Sequence, residues 1–141
     1  MYNKNIRAYK TNTLEADLSV ADPHRVIQLI MQGVLERLAL AKGVIDRKDY
    51  SAKSETISSA IALINGLQDS LDLSEGKIPE DLYLLYDYMK NRLFDASKNL
   101  DKSAVDEVAN LMITIKSAWD QISEADKQIA YSLRQQKGNI A

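Results

Sequence analysis

Two prolines, Pro23 and Pro79, are separated by 55 residues, with no third between or after them. Proline removes a backbone donor and clashes with the preceding turn, so long proline-free stretches are where helices persist. Glycine is also sparse, at Gly33, Gly43, Gly66, Gly76 and Gly138. No stretch sustains the period-2 alternation of a half-buried strand. The chain is therefore expected to be all-α.

Four helical segments follow from the apolar spacing. The first opens at "ADPHRVIQLIM", with Asp22 as N-cap and Pro23 in the first turn, where its missing N–H costs nothing. Val26, Ile27, Ile30, Val34, Leu38, Ala41 and Ile45 form its stripe, which fades near "DRKDY". The second begins near Ser51 and aligns Ile57, Ala60, Ile61, Ile64, Leu67 and Leu71; Gly76 turns the chain after it. The third is placed from Pro79, with Glu80 and Asp81 at the positive end of its dipole. The fourth is placed from Ser103, with Asp106 at capping-box spacing and Val105, Val108, Met112, Ile115, Trp119 and Ile122 in 3-4 alternation. Short connections make successive helices antiparallel. The expected architecture is an up-down-up-down four-helix bundle over residues 21–123. A capping segment, residues 1–20, precedes it. An extension, residues 124–141, follows it, helical or disordered.

The residue types exclude most chemistry. The chain has no cysteine, which removes disulfides and thiolate zinc sites. Its one histidine, His24, sits beside a helix cap and reads as a cap or surface residue. No Glu-x-x-His pair, glycine-framed nucleophile or phosphate-cradling loop occurs. Asp69, Asp72, Glu75, Glu80 and Asp81 gather at a helix–helix turn and read as a solvated end. No catalytic residue, metal or cofactor is expected. A net charge of −2 with no basic stripe gives no affinity for nucleic acid. The opening "MYNKNIRAYKTN" lacks the apolar run of a signal peptide, and no stretch approaches the ~20 apolar residues of a membrane span. A cytoplasmic chain without membrane insertion is expected.

An apolar surplus is what remains. "LYLLYDYMKNRLF", residues 82–94, holds nine apolar or aromatic side chains in thirteen positions. At 100° per residue, Leu82, Leu85, Tyr86, Met89 and Leu93 share one sector, enough for a core stripe. Tyr83 and Phe94 lie on one flank, and Leu84 and Tyr88 on the other. Such residues either widen the buried arc or form a binding surface, since large exposed apolar patches mark interaction sites. Ala62, Leu63 and Gly66 lie off the main stripe of the second helix and would let a foreign helix approach. Ile57, Ile61 and Ile64 are further candidate contacts. Tyr2, Ile6 and Tyr9 recur at i, i+4 and i+7, the anchor spacing of a helix in a groove. Three such anchors set against the ordering of ten residues give weak docking, so this segment is expected to cap the groove until a ligand displaces it.

"MYNKNIRAY", "ADPHRVIQLIMQGVLERLALAKGVID", "LYLLYDYM" and "AWDQI" together resemble the flagellar export chaperone family FliS, in the family's order, from residue 1 to about Ile122. Asp22 stands where the family commonly has serine, a cap-for-cap exchange; Gly76-Lys77 replaces a frequent double glycine. The resemblance implies a one-to-one cytosolic complex with the C-terminal region of flagellin. That complex prevents premature polymerisation and delivers flagellin to the flagellar export gate. Some family members also bind an anti-sigma factor, a further partner the resemblance allows. The family's N-terminal isoleucine and tyrosine match Ile6 and Tyr9. The expected partner-binding set is thus Ile6, Tyr9, Ile57, Ile61, Ile64, Tyr83, Leu84, Tyr88 and Phe94. The alternative is a structural bundle that self-associates through the same surplus surface.

Overall fold

A computed structural model describes residues 22–122 and, beyond them, Ala125, Asp126, Ile129, Ser132 and Leu133. Four α-helices run through it: α1 (Pro23–Asp46), α2 (Tyr50–Asp69), α3 (Lys77–Asn99) and α4 (Lys102–Asp120). A 3-10 turn, Leu73–Glu75, lies between α2 and α3. No strand occurs among the described residues. Each helix packs against its neighbours in sequence, and α4 returns to pack against α1, so the four form a closed antiparallel ring.

Local chemistry sets the ends. Asp22 caps α1 by accepting from the Arg25 N–H at 2.7 Å, and Pro23 occupies the first turn, both as expected. Asp49 caps α2 through the Ala52 N–H. The start of α4 differs from expectation. Asp101, not Ser103, is the N-cap, and its carboxylate accepts from the Ser103 and Ala104 N–H groups. An aspartate two residues before the serine offers the stronger acceptor, so it takes the cap. α3 starts at Lys77, two residues before Pro79, because Gly76 at φ 112° turns the chain into the helix there. Pro79 then sits in the first turn, where no intrahelical partner awaits its N–H. Lys48 and Leu100 close the α1–α2 and α3–α4 links with left-handed φ of 59° and 54°.

The core is built from the expected stripes. Met31, Val34, Leu38, Ala41 and Ile45 of α1 meet Ile57, Ala60, Ile61, Ile64 and Leu67 of α2. Tyr86, Met89, Leu93 and Ala96 of α3 and Ala104, Val105, Val108 and Met112 of α4 complete it. Small residues bring α1 close to α2: a Cβ on Gly33 would lie 3.1 Å from Leu63 Cδ1. His24 corrects the sequence reading. It is buried, not a surface residue, and stacks on Trp119 with ring centroids 4.8 Å apart. Trp119 Nε1 donates to the His24 carbonyl at 3.0 Å, and His24 Nε2 lies 2.7 Å from the Trp119 carbonyl. This pair ties the first turn of α1 to the last turn of α4. The partner is 95 residues distant, beyond the reach of local spacing rules.

Candidate functional site

α3 carries more apolar surface than its packing uses. Its inner stripe, Tyr86, Met89, Leu93 and Ala96, is buried. Four further residues on the same helix remain exposed: Leu84 at 65%, Phe94 at 58%, Tyr88 at 45% and Tyr83 at 37%. Ile78 at the helix start is exposed as well. The helical period explains the split, because a helix seated between two neighbours buries one sector and leaves residues beyond its shoulders in water.

Polar ties hold both shoulders. Toward α2, the buried Gln68 amide donates to the Tyr83 carbonyl at 3.0 Å and to Asp87 Oδ1 at 2.8 Å. That hydrogen bond, with smaller help from Lys90, holds the Asp87 carboxyl below its usual range. Lys90 also donates to Asn65, and Lys53 of α2 reaches the Ser97 carbonyl at 2.8 Å. Toward α4, the Tyr88 hydroxyl donates to Glu107, and Arg92 Nε donates to the other oxygen of the same carboxylate at 2.8 Å. These two donors depress Glu107, and the phenol is in turn pushed up by the carboxylate it serves. Tyr88 therefore presents its ring at the rim of the α3–α4 seam while its hydroxyl is anchored. Leu84 and Phe94 are aliphatic or aromatic throughout and have no polar end to satisfy.

The structure divides the expected contact residues. Tyr83, Leu84, Tyr88 and Phe94 are on the surface; Ile57, Ile61 and Ile64 are in the core, with Ile64 at 0% exposure. A ligand reaches those isoleucines only if α2 leaves the bundle. The wheel alone did not separate them, because α2 packs against both α1 and α3 and buries a broad arc. Ile6 and Tyr9 lie outside the described residues. Ala62 is exposed, and a Cβ on Gly66 would meet nothing within 4 Å, so this part of α2 is open. Leu63 instead packs against the core. Sequence reasoning did not single out Leu40 and Ile113, at 53% and 50% exposure. Their signal was available, since both fall off the apolar stripe of their helix. Ile113 lines a shallow hollow between α1 and α4 with Gln32, Leu35, Lys116, Ser117 and Asp120.

No cluster of three metal-ligating side chains occurs among the described residues. None of the helices there is long and apolar enough to cross a membrane. The arrangement leaves large apolar side chains exposed on both flanks of α3, beside the polar seams.

The family described as flagellar protein FliS matches residues 4–126. The flagellar secretion chaperone FliSB of Pseudomonas aeruginosa is 44% identical over 121 residues, covering 85% of this chain and 96% of that protein. The flagellar secretion chaperone FliS of Salmonella typhimurium is 38% identical over 120 residues, 84% of this chain and 89% of that protein. That of Vibrio cholerae is 35% identical over 118 residues, 83% and 87% of the two chains.

Proposed function

The chain belongs to the FliS family of flagellar secretion chaperones, and on that premise we propose that it holds the C-terminal segment of flagellin on the exposed face of α3. The observation that carries this reading is the coexistence on one helix of a satisfied core stripe and four large exposed apolar residues, Tyr83, Leu84, Tyr88 and Phe94. A flagellin end outside the filament has apolar helical faces in need of cover. On this chain they find Leu84 and Phe94 open to solvent, and Ala62 and Gly66 of α2 leave open surface on a second helix.

A segment ordered only on binding needs a large wrapped surface, because the entropy it loses offsets much of what burial contributes. Binding is therefore spread along α3 rather than concentrated in one pocket. The complex forms in the cytosol, keeps flagellin from polymerising early and hands it to the export gate. With no covalent step available, release follows from competition at that gate. Ile6 and Tyr9 belong to the N-terminal segment that covers the groove until flagellin arrives.

Titration with a flagellin C-terminal peptide tests this. One-to-one binding that weakens at least tenfold in Leu84→Asp is expected. A stable dimer indifferent to the peptide would favour the self-associating bundle instead.

A further inference from the structure

Tyr88 reaches a neighbouring helix through its side chain. Its hydroxyl donates to one oxygen of the Glu107 carboxylate. The tyrosine backbone belongs to α3 and the acceptor to α4, so the ring spans the seam between them. Arg92, one turn further along α3, donates through Nε to the other carboxylate oxygen at 2.8 Å. A second guanidinium nitrogen of Arg92 lies 3.4 Å from Asp95. The carboxylate is gripped at both oxygens by donors from one helix, so swinging the ring away costs a hydrogen bond.

Tyr88 is nevertheless 45% exposed. Leu84, four residues earlier, shares its helical face and is exposed as well. A guest lying on this flank meets both. A half-exposed tyrosine with a free hydroxyl samples several χ1 wells. Ordering such a side chain at the moment of binding lowers affinity about three- to tenfold. Glu107 places that ordering in the free chain. Arg92 has a second effect, because its charge balances the carboxylate and leaves no uncompensated anion for an apolar guest to bury.

We propose, resting on the reading of α3 as the flagellin face, that Glu107 is a positioning residue for that binding. It stands off the apolar face and acts through Tyr88, whose ring it holds across the α3–α4 seam before the guest arrives. The adjacent carboxylate, Asp106, has no such part, since it pairs with Lys42 of α1 at 2.7 Å.

A double-mutant cycle with a flagellin C-terminal peptide tests the coupling. Glu107→Ala and Tyr88→Phe should each weaken binding about three- to tenfold, and the double variant no more than either alone. Asp106→Ala should bind as the unaltered chain does. Losses that multiply in the double variant, or an equal loss in Asp106→Ala, would overturn the proposal. A measurement on the free chain needs no peptide. The Tyr88 Hα–Hβ couplings should report one χ1 rotamer in the unaltered chain and averaged rotamers in Glu107→Ala. Averaging already present in the unaltered chain, or couplings that Glu107→Ala leaves unchanged, would also overturn it. A peptide that binds the unaltered chain and all the variants alike contradicts the role of Glu107 alone. A peptide that does not bind the unaltered chain contradicts the flagellin reading, and the role of Glu107 falls with it.

Discussion

Leu84 and Ile64 are both aliphatic residues in mid-helix, and their surroundings give them opposite roles. Ile64 has no exposed surface, whereas Leu84 is 65% exposed. Ile64→Ala removes packed methyl groups and leaves a cavity, a loss of about 2–5 kcal/mol by chemical denaturation. Leu84→Ala should stay within about 0.5 kcal/mol of the unaltered chain in the same assay. Leu84→Asp should keep the helical circular dichroism and lose flagellin-peptide affinity; loss of the fold would show that the residue is core. Sequence separated the two roles on α3, where the stripe and its flanks are distinct on the wheel. It did not on α2, where Ile57 and Ile61 were candidate contacts and are buried. Counting apolar residues shows how many must be covered, but not how wide an arc the neighbouring helices cover. His24 shows the same limit from the polar side, because its burial depends on Trp119 in the last helix of the bundle.

At the level of elements, helix positions were legible because α-helical periodicity and aspartate caps are local. The exact starts of α3 and α4 were less so, since Gly76 and Asp101 compete with equally plausible caps within a few residues. Gly66 yields a prediction at this scale. It lies inside α2, a Cβ there meets nothing within 4 Å, and its φ is not left-handed. Gly66→Ala should therefore raise stability by about 0.5–1 kcal/mol through helix propensity alone, seen as a higher thermal midpoint. If a guest helix lies close at this position, the same variant weakens peptide binding while the free chain gains stability. Lys48 offers the reverse case. Its left-handed φ of 59° costs a non-glycine residue about 1 kcal/mol, so Lys48→Gly should recover part of that.

For the molecule as a whole, the polar seams make stability depend on pH at both extremes. Asp87, Asp101, Glu107 and Asp120 are all held below the usual carboxylate range, chiefly by the Gln68 amide, the Ser103 hydroxyl, the Tyr88 phenol and the Lys116 ammonium respectively. A depressed native pKa contributes stability above the unfolded value of about 4 and loses it as pH falls through the native value. The thermal midpoint should therefore drop below about pH 4. Tyr86 acts at the other end. Burial raises its phenol to about 12, so its contribution is complete below about pH 10 and disappears as pH rises toward 12. Tyr86→Phe should flatten that alkaline limb.

If α3 is more apolar than the bundle needs because a flagellin helix completes it, the intact chain and its Leu84→Asp/Phe94→Asp variant should differ sharply in isothermal titration with a flagellin C-terminal peptide. The intact chain should bind one-to-one with a negative heat-capacity change. The double variant should keep its fold and bind at least tenfold more weakly. Equal affinity for the two chains would mean that flagellin does not sit on the exposed face of α3.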